Sequence, residues 1–153
     1  MSQPVFSFPY YDVTLRQGED FVLHFVHKDD NGNAWGLTGA SAEMQIRKSP
    51  LVERMSAWVK GSAVTGSAGG TGSKEFYATG GTAVSGGGFT LNVASNGTTP
   101  QVGGVFLRIP HSVTQYVPSG MNFYDIEITT AGSTSERRVA RMGEFFVEPQ
   151  VTR

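Results

Sequence analysis

The sequence predicts an all-β sandwich with one short helix and a long glycine-rich excursion. Short runs with apolar residues at every second position recur at roughly 8–12-residue intervals, the pattern of sandwiches and barrels. Gly, Asn, Asp and Pro clusters separate them, as turn chemistry requires. Charged residues make up only 16 % of the chain, below the roughly 25 % of ordinary domains. A length of 153 residues fits one domain. We divide it into an extended aromatic arm at residues 1–11 and one sandwich domain at 12–153, interrupted by a Gly/Ser/Thr-rich excursion at 61–88.

The arm carries Phe6, Phe8, Tyr10 and Tyr11 with Pro4 and Pro9 between them. Proline blocks central strand pairing, so the arm is expected to lie across its own domain or a neighbour. Val13 to Arg16 is the first strand, ended by Gln17-Gly18-Glu19. Asp20 to His27 alternates, with Phe21, Leu23 and Phe25 on one face. Asn31-Gly32 then predicts a hairpin turn. From Ser41 to Arg47, Ala42, Met44 and Ile46 point inward and Glu43, Gln45 and Arg47 outward. A further strand is expected from Arg54.

The excursion holds half of the twenty glycines, a linker-like composition, with room for a strand around Glu75 to Ala78. Its large anchors are Phe76 and Tyr77. Phe89, Leu91 and Val93 restart the alternation before an Asn96-Gly97 turn. Val105, Leu107 and Ile109 form the next inward row. Ser112 and Gln115 have capping-box spacing, which predicts a helix at Val113–Val117. Met121 to Thr129 places Tyr124, Ile126 and Ile128 on one face. Arg137 to Glu148 is the last strand, with Val139, Phe145 and Val147 inward and a mid-strand Gly143 that marks a bulge or a close backbone approach. The expected core is Phe21, Leu23, Phe25, Met44, Ile46, Leu91, Leu107, Tyr124, Ile126, Ile128, Phe145 and Val147.

Several function classes lose support at this stage. With no cysteine and a net charge of −1, there is neither a thiolate metal site nor the basic excess of a nucleic-acid binder. No run approaches the roughly 18 apolar residues of a membrane span. The opening residues lack the basic start and apolar stretch of a secretion signal. His24 and His27 lie three apart on a strand and so face opposite ways; neither they nor His111 are expected to hold a metal. The Asp29-to-Asn33 run has its glycine too early for a calcium loop. Asp125 and Glu127 share an outer strand face, where alternating charge is commoner than a hydrolase pair. The expectation is therefore no catalytic residue, no cofactor and no metal.

The order of motifs carries a resemblance. Arg16-Gln17-Gly18-Glu19-Asp20-Phe21 is followed by Lys28-Asp29-Asp30-Asn31-Gly32. Leu37-Thr38-Gly39-Ala40 leads into Met44-Gln45-Ile46-Arg47. Then come Phe123-Tyr124-Asp125-Ile126-Glu127, Met142-Gly143-Glu144-Phe145-Phe146-Val147, and a closing Val151-Thr152-Arg153. This series resembles a family of small phage and prophage structural proteins. It is also similar to the immunoglobulin-like N-terminal domain of siphophage upper-baseplate proteins. The excursion at 61–88 is the main departure.

The resemblance implies an immunoglobulin-like sandwich made in the host cytoplasm and built into a virion, as an adaptor at the tail, baseplate or neck. It would stand there in symmetric copies or as a homo-oligomer beside other virion proteins, with no nucleic acid and no membrane. A receptor- or carbohydrate-binding module, with Trp35, Trp58 and Tyr77 stacking on sugars, and a capsid decoration protein are the alternatives. The candidate interface residues are Phe6, Phe8, Tyr10, Tyr11, Phe76, Tyr77, Arg137 and Arg141. The Arg137, Arg138 and Arg141 cluster is expected to put Arg137 and Arg141 on one face and Arg138 on the other.

Overall fold

Turn chemistry and alternation set out the strands, and their pairing sets the architecture. A computed structural model describes residues 10–47, 55–62, 74–78, 88–115, 117, 119–130 and 136–150, with 55–62 and 74–78 described by backbone alone. Among these residues the elements are β1 (Val13–Arg16), β2 (Phe21–Val26), β3 (Ser41–Arg47), β4 (Met55–Ser62), β5 (Lys74–Ala78), β6 (Gly88–Val93), β7 (Pro100–Ile109), α1 (His111–Thr114), β8 (Gly120–Thr129) and β9 (Arg137–Glu148). They form a large sheet in the order β1-β9-β8-β3-β4-β5 and a small one in the order β2-β7-β6. β1 runs parallel to β9, and the other pairings are antiparallel. This is the strand order of a variable-type immunoglobulin sandwich. There β2, β7 and β6 take the B, E and D places, and β9, β8, β3, β4 and β5 the G, F, C, C′ and C″ places.

Antibody domains pin their two sheets with a disulfide. With no cysteine, this chain has no such staple. Met44, Ile46, Leu91, Leu107, Ile126, Ile128, Phe145 and Val147 are fully buried, and Phe25 and Tyr124 nearly so. Phe21 and Leu23 pack against this core while keeping part of their surface open. Phe145 makes edge-on contacts with Phe21 of the small sheet at 5.6 Å and with Tyr124 at 5.7 Å, a geometry that favours aromatic pairs beyond their burial.

Asn92 ties the small sheet to the segment that crosses between sheets. It sits at a register shift in β6 with φ +60°, a conformation asparagine tolerates better than most residues. Its buried Oδ1 accepts the backbone N–H of Leu37 at 2.9 Å and of Gly103 at 3.2 Å. A side chain on Gly104 would collide with the carbonyl oxygen of Val93, so β6 and β7 approach closely only because position 104 is glycine.

Four expectations from the sequence are corrected. Asn31-Gly32 does form a turn, with Gly32 at φ +82° and Asp29 Oδ1 accepting the N–H groups of Asn31 and Asn33. Its hairpin is closed by a single Lys28–Ala34 bridge, and β2 and β3 lie in opposite sheets. The helix begins at His111 rather than Val113. Its N-cap is Pro110 with no side-chain cap bond, and Gln115 donates to the Ser112 carbonyl rather than closing a capping box. Asp20 serves the helix instead, accepting the His111 N–H at 2.7 Å, a favourable place for a carboxylate. Val139 is 42 % exposed, not inward, because β9 skips a residue. Ile126 pairs with Arg141 and Glu127 with Val139, so Ala140 has no partner on β8.

Gly143 marks the close approach. An added Cβ there would come within 2.7 Å of the Tyr11 carbonyl. Tyr11 N–H donates to the Met142 carbonyl at 2.8 Å, and the Tyr124 hydroxyl donates to the Tyr11 carbonyl. The described end of the arm therefore lies on its own domain; Phe6 and Phe8 fall outside the described residues.

Two glycine substitutions should separate crowding from backbone strain. Gly104→Ala forces a methyl into a backbone atom and should cost about 3 kcal/mol, the upper range for overpacking. Gly32→Ala meets nothing within 4 Å and carries only the left-handed penalty of about 1 kcal/mol. Equilibrium urea unfolding of the two variants measures the difference; equal losses would contradict the crowding at Gly104.

Candidate functional site

The outer face of the large sheet is where the register gathers polar side chains. Across β9, β8 and β3 the rows read Met142–Asp125–Gln45, Val139–Glu127–Glu43 and Glu144–Phe123–Arg47. Alternation sends the intervening residues inward, as Ile126 and Met44 show. Apart from Val139, these outer residues line a hollow of about 700 Å³, rimmed by Tyr10 from the arm, by Asp12 just after it and by Arg137 at the start of β9.

Most of its polar groups are held by neighbours. Arg47 donates twice to Gln45 Oε1, at 3.2 and 2.7 Å. Asp12 Oδ1 accepts the Glu144 N–H at 3.0 Å. Arg137 lies 3.6 Å from Glu127, a long and solvent-screened pair. Asp125 is the half-buried carboxylate in the middle. Burial lifts its pKa above the ordinary range, the Glu127 charge adds to this, Arg47 opposes it, and Glu43 raises it further. Burial of this kind works against the ionised form of a carboxyl group.

The candidate interface residues do not form one patch. Tyr10 and Arg137 both line the hollow. Arg141 lies elsewhere, because the skip at Ala140 changes the parity of β9. Arg141 pairs with inward Ile126 and Arg138 with inward Ile128, so Arg138 and Arg141 share the inner side and Arg137 stands alone outside. This reverses the expected grouping. Arg141 sits 4.9 Å over the Phe25 ring and 5.5 Å over the Tyr11 ring. Phe76 and Tyr77 lie on β5, the far edge of the sheet, as register partners of Val59 and Trp58. Glu43, Gln45, Arg47, Phe123 and Met142 join the hollow without having been singled out. Their alternation was readable, but the concavity that collects them arises from pairing distant strands.

Trp35 is not an open stacking surface. Its ring stacks on His27 at 5.6 Å, and Arg138 covers it at 4.9 Å. Arg138 in turn pairs with Asp30 and Glu136 at 3.0 Å each. His27 is buried, which lowers its pKa with a contribution from Arg138. His24 contacts the Val93 carbonyl through Nε2, and His111 pairs with Asp20. Among the described residues no cluster of His, Asp and Glu is placed to hold a metal, and no helix is long and apolar enough to cross a membrane.

No family model and no curated protein matches the chain. Solved structures similar to it include extracellular domains of the voltage-gated sodium channel beta4 subunit, described as parallel homodimers with a role in cell–cell adhesion. The likeness covers 98 % of this chain and 100 % of that one at 9 % identity and a TM-score of 0.38. A second comes from work on multimeric cell-adhesive interactions of such beta subunits, at 10 % identity and a TM-score of 0.36, covering 99 % of this chain and 100 % of that one. The assignment of an immunoglobulin-like sandwich rests on the strand order above.

The Asp125 environment has a testable sign. Its folded pKa is raised, so the ionised group costs stability above that pKa, and the cost disappears as pH falls through it. Asp125→Asn should therefore raise the urea midpoint of the isolated chain at pH 7 and match the parent near pH 3. A lower midpoint at pH 7 would mean that Asp125 is paired.

Proposed function

We propose that this chain is a non-catalytic structural component of a phage virion, an adaptor that joins tail, baseplate or neck subunits and docks through the outer face of its large sheet. The observation that carries the docking surface is the hollow on that face, where Tyr10, Phe123 and Met142 stand beside carboxylates and Arg137. Mixed aromatic, methionine and arginine surface is what protein interfaces enrich. The virion setting is supported by the ordered motif series from Arg16 to Arg153.

A sugar-binding reading loses Trp35, whose ring lies between His27 and Arg138.

Imaging of assembled particles with the chain labelled tests the setting: label at the tail, baseplate or neck supports it, and particles without label overturn it. Arg137→Glu tests the surface. Arg137 is 66 % exposed at its side chain, so the variant should keep the parent melting temperature while losing incorporation into particles. Full occupancy of the variant would show that the docking surface lies elsewhere.

A further inference from the structure

The edge of the small sheet carries a second interaction surface. β2 pairs with β7 on one side, and among the described residues nothing pairs with its other side. His27 N–H donates to the Gly103 carbonyl at 2.8 Å. By the two-residue alternation of an antiparallel ladder, Phe25, Leu23 and Phe21 carry the bonds to β7. The backbone groups of Val22, His24 and Val26 then point away from it.

Exposed edges are ordinarily blunted by charge, proline, bulges or shortness. The other edges here conform: β1 has four residues and ends in Arg16, β5 opens on Lys74-Glu75, and β6 is buried throughout. β2 is six residues, Phe-Val-Leu-His-Phe-Val, with no formal charge, proline or register shift. Two further features lie along the same edge. Val22 is 51 % exposed, and the inward-facing Phe21 and Leu23 remain only partly covered.

We propose that this edge binds β2 of a second copy of the chain, antiparallel about a two-fold axis through His24. The three open backbone positions are symmetric about residue 24. An antiparallel pairing therefore sets Val22 opposite Val26 of the second copy, and His24 opposite its own counterpart. Main-chain groups bond across the axis, and no formal charges meet. On the inner side Leu23 falls opposite Phe25 of the second copy, which covers the surface it leaves open. The interface is isologous and joins two three-stranded sheets into one of six. It is separate from the outer face of the large sheet and does not depend on the virion reading.

The chain has no cysteine, so single cysteines report the pairing cleanly. Directly bonded antiparallel partners stand about 5.5 Å apart at Cα, inside the roughly 4.4–6.8 Å that a disulfide spans. The full chain should sediment as a dimer at raised concentration, and His24→Cys should cross-link to itself on mild oxidation. Val22→Cys mixed with Val26→Cys should cross-link where neither does alone, which keeps the test open if the His24 variant fails to fold. Val22→Lys should abolish the dimer without changing the fold. A chain that stays monomeric at all concentrations overturns the proposal. So does a dimer in which these pairs fail to cross-link. Slow exchange of the residue 22, 24 and 26 amides in the monomer would also overturn it, by showing that another strand fills the edge.

Discussion

The unpaired Ala140 in β9 decides which way half of that strand faces. A bulge adds one residue against its partner strand and reverses the alternation beyond it. Downstream, Gly143, Phe145 and Val147 take the inner positions and feed the core. Arg141 shares that downstream inner side, while upstream the parity changes, so Val139 turns to solvent and Arg138 turns toward the space between the sheets. Charged side chains at the end of a sandwich are tolerable only if paired or laid over aromatic faces. Both solutions are present: Arg138 covers Trp35 and pairs with Asp30 and Glu136, and Arg141 covers Phe25 and Tyr11.

These arginines do structural work that a disulfide does elsewhere. Arg138 links the turn after β2 to the start of β9, and Arg141 links the arm to β2. Each spans segments distant in sequence and close in space. Asn92 does the same from β6, holding Leu37 and Gly103 through one buried oxygen. A sandwich without covalent staples thus relies on a few long-range polar ties around a core that is otherwise apolar. Each tie sits where the regular ladder is broken: a skipped residue in β9, a register shift in β6, and the crossing between sheets.

The sequence was most legible where alternation was strict. Ser41–Arg47 and Arg137–Glu148 have the strand bounds that their patterns predict, and ten of the twelve expected core residues are buried, with Phe21 and Leu23 partly so. It was least legible where pairing partners mattered. The Asn31-Gly32 turn was readable as a turn, but turn chemistry cannot say that the next strand joins the other sheet. The capping-box spacing at Ser112 was present, yet Asp20 from across the fold serves the helix instead. Face assignment in β9 failed because a bulge at Ala140 has no local signature; alanine is neither glycine nor proline. The hollow was half readable: its residues alternate outward in β3 and β8, but only the β3–β8–β9 register brings them together.

The small charge content acquires a physical reading from the two open surfaces. A domain that meets only water gains solubility from interspersed charge. Here β2 carries no formal charge, and on the large-sheet face burial raises the pKa of Asp125, with Glu127 adding to it, Arg47 opposing and Glu43 raising it further. Neither feature helps the isolated chain fold. An edge that no described strand pairs with invites association, and a half-buried carboxylate with others beside it favours an incoming cation. Proteins keep such locally costly arrangements where another molecule completes them. The edge is apolar and self-complementary, while the face is acidic with an aromatic rim, so the two ask for different partners. Under the adaptor reading proposed above, that asymmetry assigns the edge to a second copy of the chain and the face to a different protein, with one close-packed core between them.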